Sequence, residues 1–142
     1  MGSAAAGRVA VMSIHPTYAY EIMSGTKRVE FRKRPVGQDV THVMIYATAP
    51  VSAVIGAFTV AGQETMEPAG LWSRFHTVAG ITQRRFFDYF SGRATGTGIL
   101  VNEVLKPDAP LSLSKDLGVS RPPQSYQYLP AKAAREALAR MV

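Results

Sequence analysis

Three strand-like runs follow one another between residues 28 and 60 with no helical segment between them, and this succession narrows the fold more than any other feature of the chain. In residues 28–34 polar and apolar positions alternate until Pro35 and Gly37 stop the pattern; residues 42–49 and 51–60 are two further runs, with Pro50 at their junction. Alternation sends successive side chains to opposite faces of a strand, and proline, which has no N–H to donate, belongs at an edge or corner. Strands joined directly pair with one another locally, whereas a parallel doubly wound sheet needs a helical crossover for each new strand. The expected class is therefore α+β, a small mixed or closed β-barrel flanked by helices.

The rest of the chain supplies those helices. Arg8–Ile14 reads as a buried strand that ends at His15-Pro16; Pro16 opens a helix with Tyr18 and Ile22 on one face, and Ser24-Gly25 offers a left-handed exit. Leu71, Trp72 and Phe75 mark a second helix, and Phe86, Phe87, Tyr89 and Phe90 a third, capped by Thr82 and stopped by Ser91-Gly92. Gly96–Leu105 returns to strand character, Pro107, Pro110, Pro122 and Pro123 impose an irregular path, and a final helix from about residue 131 turns Ala134, Leu138 and Met141 to one side. With 142 residues, 46% of them apolar, one domain over residues 8–142 is expected, preceded by a flexible tail at residues 1–7. No run reaches the roughly 20 apolar residues of a membrane span, and the absence of cysteine excludes a disulfide scaffold and thiolate metal sites. A cytoplasmic protein with no membrane partner is expected.

Chemistry concentrates in residues 27–34, KRVEFRKR, which set five basic side chains around one carboxylate. On a strand Arg28, Glu30, Arg32 and Arg34 share a face, while Val29 and Phe31 point the other way into the core. Same-face neighbours lie about 6 to 7 Å apart and reach a common ligand. The cations keep Glu30 ionised, which suits it to accept a hydrogen bond rather than a proton. Lys27, Arg28, Arg32, Lys33 and Arg34 then hold phosphates and Glu30 takes a base amino group or a sugar hydroxyl. An edge strand that uses charge against aggregation would carry the same pattern. Tyr46, Trp72, Tyr126 and Tyr128 are candidates to stack a base, whereas the cluster from Phe86 to Phe90 reads as cover for a sheet. A net charge of +6 favours a polyanionic partner.

Other chemistries have no support. His15, His42 and His76 lack metal-ligand spacing, Gly96-Thr97-Gly98 lacks the rest of a dinucleotide loop, and no nucleophile elbow surrounds Ser13 or Ser125. No metal and no cofactor are expected.

Residues 25–32, Gly-Thr-Lys-Arg-Val-Glu-Phe-Arg, closely resemble the G-x-K-x-x-E-x-R signature of ASCH domains, a branch of the PUA-like superfamily, at all four signature positions. The preceding Ser13-Ile14-His15-Pro16 with Tyr18 and Ile22 is similar to the strand and helix that lead into it. Tyr46-Ala47-Thr48-Ala49-Pro50, Leu71-Trp72, Ala79-Gly80-Ile81, Asp88-Tyr89-Phe90 and residues 121–126 resemble a stand-alone group described as PUA-like predicted transcriptional regulators. The resemblance runs from about Val9 to Leu129. It implies a PUA-like mixed β-barrel, a cleft lined by Lys27, Glu30 and Arg32, and RNA or modified bases as ligands. It also implies two enzymatic activities found among ASCH proteins, ribonuclease and amidohydrolase of N4-acetylcytidine. Lys27 matches the amidohydrolase lysine, while Glu30 stands where that group carries its threonine.

Together these readings give a nucleic-acid-binding module for RNA or single-stranded DNA in preference to duplex DNA. Its expected contacts are Lys27, Arg28, Glu30, Arg32, Lys33, Arg34, Tyr46 and Trp72. The alternative is a hydrolase acting on RNA or a modified nucleoside, with Lys27 and Glu30 as the candidate catalytic groups. An acidic protein is a third class of partner for the basic strand.

Overall fold

The computed structural model describes residues 7–142; residues 1–6 of the expected tail lie outside the described residues. Six strands form one mixed sheet curled into a half-barrel, with five helices around it. In chain order the elements are β1 (Arg8–Ile14), α1 (Pro16–Ser24), β2 (Val29–Arg32), β3 (Val40–Ala47), β4 (Ala53–Met66), α2 (Pro68–Phe75) with a 3₁₀ turn at His76–Val78, α3 (Gln83–Tyr89), β5 (Gly96–Leu105), α4 (Leu113–Leu117), β6 (Tyr126–Tyr128) and α5 (Ala131–Leu138). The sheet order is β2-β5-β4-β3-β1-β6, and β1 with β3 is its parallel pair.

The apolar run of β1 is continuous because both of its faces are covered. Ala10, Met12 and Ile14 enter a cluster with Ala19 and Ile22 of α1, Val43 and Ile45 of β3, and Phe58. Val9 and Val11 face the other way, against Leu113 and Leu117 of α4 and Ala134 and Ala137 of α5. β3 divides in the same fashion, so Met44 and Tyr46 join the α4–α5 side. A strand central to a sheet, buried on both sides, loses the alternation that would reveal its faces.

A third cluster fixes β2. Val29 and Phe31 pack on Leu71 of α2 and on Phe86 and Phe90 of α3, with Phe31 and Phe86 edge to face at 4.8 Å between ring centroids. Such a pair contributes about 0.5–1.5 kcal/mol beyond the area it buries. The aromatic cluster therefore covers a sheet, as its spacing predicts, and it clamps the edge strand that bears the charged motif.

The structure departs from the expected boundaries in ways that pairing explains. β2 keeps four residues rather than seven, since its partner β5 begins at Gly96 and the last register pair is Arg32 with Thr97. β4 runs on to Met66 instead of stopping at Val60, because two register shifts between Phe58 and Gly62 bend it away from β3 while β5 goes on pairing with it. The proline-rich return is not wholly irregular: it contains α4, which Ser112 caps by accepting from the Lys115 N–H, and the three-residue β6. The half-barrel stays open between β2 and β6, the two outer strands of the sheet.

Candidate functional site

The open side of the half-barrel is where the charged motif lies. Alternation in β2 sends Val29 and Phe31 into the aromatic cluster, so Glu30 and Arg32 occupy the opposite face, toward the end of β1. There they do not meet water as a solvated charged face would. Glu30 is 6% exposed, and its Oε2 accepts from Arg32 Nε at 3.1 Å. The Arg32 guanidinium also donates to the Ser13 carbonyl of β1 at 2.8 Å and to Ser125 Oγ, just ahead of β6, at 3.1 Å. A planar fork with five N–H donors is suited to this work. Arg32 thus fastens β2 to the other edge of the sheet where no backbone pairing joins them, and few of its donors are left for a phosphate.

Lys27 is held inside by the connection that precedes β2. Its backbone N–H donates to the Glu21 carbonyl at 3.0 Å, and the next N–H, of Arg28, donates to the Val78 carbonyl at 2.9 Å. The segment is pinned between α1 and the 3₁₀ turn, and the side chain turns inward, with Nζ donating to the Ala79 carbonyl. Nζ lies 5.3 Å from the ring centroid of Tyr18 and 5.1 Å from that of Phe31. Gly80 makes room for it: φ there is +61°, and a Cβ would come within 2.7 Å of Lys27 Cβ and 2.8 Å of Glu21 Oε2. Burial pushes the Lys27 ammonium below its ordinary pKa and Arg32 adds to the push, while the Glu30 and Glu21 carboxylates pull the other way.

Around these groups lies a cleft of about 190 Å³. Lys27, Glu30 and Arg32 line it together with Ser13, His15, Tyr18 and Tyr89. Glu30 Oε1 has no hydrogen-bond partner among the described residues, and Glu30 shares the lining of the cleft with the buried Lys27. Tyr18 and Tyr89 add two aromatic faces. His15 caps α1 by accepting from the Thr17 N–H through Nδ1, which leaves the Nε2 side of its ring for other contacts.

The structure brings Lys27, Glu30 and Arg32 together and sends the remaining expected contacts elsewhere. Lys33 and Arg34 are exposed and line a neighbouring groove. Arg28 turns toward β5 and donates to the Asn102 carbonyl at 2.7 Å. Tyr46 is 5% exposed in the cluster behind the sheet, one residue out of phase with the cleft side of β3. Trp72 packs on Phe86, Phe87 and His76. Neither of these two lines the cleft; the tyrosines that do are Tyr18 and Tyr89. The signal for Tyr89 was within the aromatic cluster: Phe86 and Phe90 are its buried members, and Tyr89, with a hydroxyl to keep wet, is its exposed one. Among the described residues, no group of three His, Cys, Asp or Glu side chains converges to hold a metal, and no helix is long and apolar enough to cross a membrane.

A mixed half-barrel, open between its outer strands and crossed there by a Glu–Arg pair beside a buried lysine, defines a small α+β cleft protein. No family model matches the chain. It is 36% identical over 124 residues to an "ASCH domain-containing ribonuclease" of Zymomonas mobilis, a match that covers 84% of this chain and 83% of the relative. A crystal structure of the ASCH protein of Zymomonas mobilis superposes with a TM-score of 0.81 at 30% identity, over 94% of this chain and 96% of that one. A mutant of that protein gives 0.83 at 29% identity, again over 94% and 96%. The chain belongs to the ASCH domain family.

Proposed function

We propose that this protein binds single-stranded RNA and receives one unpaired base in the cleft between Tyr18 and Tyr89. The observation that carries this reading is the polar lining, in which a Glu30 carboxylate with one oxygen unengaged and the buried ammonium of Lys27 belong to one cleft. An acceptor next to a cation is complementary to a base edge that carries a donor next to an acceptor. A cleft of this size takes one ring system at most, below the usual 300–1,000 Å³ of a drug-sized site, and a base inside a duplex cannot enter it without leaving its stack. The relative named a ribonuclease supports RNA as the class of ligand. Lys33 and Arg34 serve as phosphate contacts, while Arg32 acts mainly by holding Glu30 and the cleft walls in place. The cysteine-free sequence suits a cytoplasmic setting.

A second reading, cleavage of the bound RNA, is favoured by the same relative's name and by the lowered pKa of Lys27. A neutral Lys27 amine would take the proton of the ribose 2′-hydroxyl as O2′ bonds to phosphorus and the P–O5′ bond breaks; the departing O5′ takes a proton from water, leaving a 2′,3′-cyclic phosphate, a 5′-hydroxyl and a protonated lysine that returns its proton to the hydroxide formed.

Fluorescence anisotropy with unstructured RNA, the same sequence as duplex RNA and the same sequence as DNA tests binding, and electrophoresis of end-labelled RNA tests cleavage. Unstructured RNA should bind the most tightly, and Lys27→Gln should weaken it at least tenfold. Equal affinity for the duplex, or full affinity in Lys27→Gln, would exclude the cleft as the binding site. A cyclic-phosphate product that disappears with Lys27→Gln would establish the cleavage reading.

A further inference from the structure

The cleft shares two of its lining residues, Arg32 and Tyr89, with a neighbouring groove of about 640 Å³. Lys33, Arg34 and Arg93 line this groove with Gln124, Ser125 and Tyr126, and no carboxylate is among its lining residues. We infer that it is a phosphodiester subsite, so that the cleft reads a base on an oligonucleotide strand and not a free base or nucleoside. This deepens the RNA reading above and rests on it.

Three observations carry the inference. First, the cations of the groove are unspent. Arg34 is exposed with no acceptor among the described residues, and Lys33 stands with Nζ 5.1 Å from the centroid of the Tyr89 ring. Arg93 uses one terminal nitrogen, Nη2, on the Lys33 carbonyl at 3.1 Å and keeps its other donors. Elsewhere on the surface Arg8, Arg74 and Arg140 each lie 2.7–3.0 Å from a carboxylate. Like charges gathered without counter-charge repel one another, and an anionic ligand removes that repulsion. Second, the groove and the cleft meet at two side chains, so a base in the cleft and its own backbone in the groove belong to one nucleotide strand. Third, the groove's other lining residues include Gln124, Ser125 and Tyr126, uncharged side chains with polar groups that suit sugar and base contacts without opposing a phosphate.

The test is binding of an unstructured RNA of about 12 nucleotides at several salt concentrations, with the free nucleoside and nucleoside monophosphate as competitors. Each lost single-strand phosphate contact lowers the salt slope by about 0.7. Lys33→Gln with Arg34→Gln should therefore flatten it by about 1.4 and weaken binding at low salt at least tenfold, and Arg93→Gln should flatten it by about 0.7. Lys132→Gln with Arg135→Gln, the same charge removed from α5, should leave the slope unchanged. Nucleoside and nucleotide should compete at least a hundredfold more weakly than the oligonucleotide.

The inference is overturned, with the RNA reading intact, if the groove variants keep the parental slope while Lys27→Gln still abolishes binding. Equal flattening by the groove and α5 variants overturns it too, since only general charge attraction would then be at work. If the parent protein binds no RNA, both readings fall together.

Discussion

The eight residues from Lys27 to Arg34 contain two kinds of cation. Lys27 and Arg32 are turned into the protein, one onto the Ala79 carbonyl and the other onto Glu30, Ser13 and Ser125. Lys33 and Arg34, past the end of β2, are exposed without a carboxylate partner. The inner pair shapes the cleft and the outer pair remains available to a ligand. A count of charges in the sequence overstates how many contacts a partner receives, because part of the charge is already used in closing the fold.

The largest effect should come from breaking the inner set. Arg32→Ala leaves a nearly buried Glu30 carboxylate unpaired and unfastens the two outer strands. Removing one partner of a buried pair costs about 3–5 kcal/mol, and the Arg32 side chain is 15% exposed, so about 3 kcal/mol is expected here. At this chain length that lowers Tm by roughly 10 °C in a calorimetric scan. Glu30→Gln combined with Arg32→Ala should recover part of the loss, and strictly additive losses would show that the pair does not couple.

A middle effect belongs to Lys27 and has a definite sign. Its ordinary pKa is 10.5, and burial holds the folded value below that. Between the two values the unfolded chain binds more protons, so stability rises with pH across that window; the burial cost is fully present below the folded value and gone above the unfolded one. Urea unfolding at several pH values from about 7 to 10 should show the parent gaining on Lys27→Met as pH rises. Parallel curves would mean that the ammonium carries no burial cost.

The smallest effect should come from the outer set. Lys33→Gln with Arg34→Gln removes no buried side chain and gives up only an exposed contact of Lys33 with the Tyr89 ring, so it should change stability by about 0.5 kcal/mol or less. A larger loss in the same urea titration would erase the distinction between the two groups.

The two faces of β2 were legible in the sequence because Val29 and Phe31 have a strong physical preference for burial, and the alternation with Glu30 and Arg32 follows from strand geometry. What the charged face looks at was not legible. Arg32 finds Ser125 only because a three-residue strand, Tyr126–Tyr128, adds to β1, and so short an element has no periodicity to betray it. Tyr46 shows a related limit. With β3 apolar on both faces, alternation shows that Ile45 and Tyr46 diverge but not which of them faces the cleft. The tyrosines that line the cleft were hidden differently, Tyr18 among the packing residues of a helix and Tyr89 within an aromatic cluster whose other members are core.

β1 sits between β3, complete by residue 47, and β6, which begins at residue 126. A ribosome therefore delivers the first strand more than a hundred residues before its second neighbour, and one margin of an apolar strand waits, unpaired, until residue 126 is made. The same late arrival brings Ser125 to the Arg32 guanidinium. Cleft assembly therefore waits on residue 125, so a nascent chain stalled before it would display the signature lysine, glutamate and arginine without the hollow they form in the folded domain.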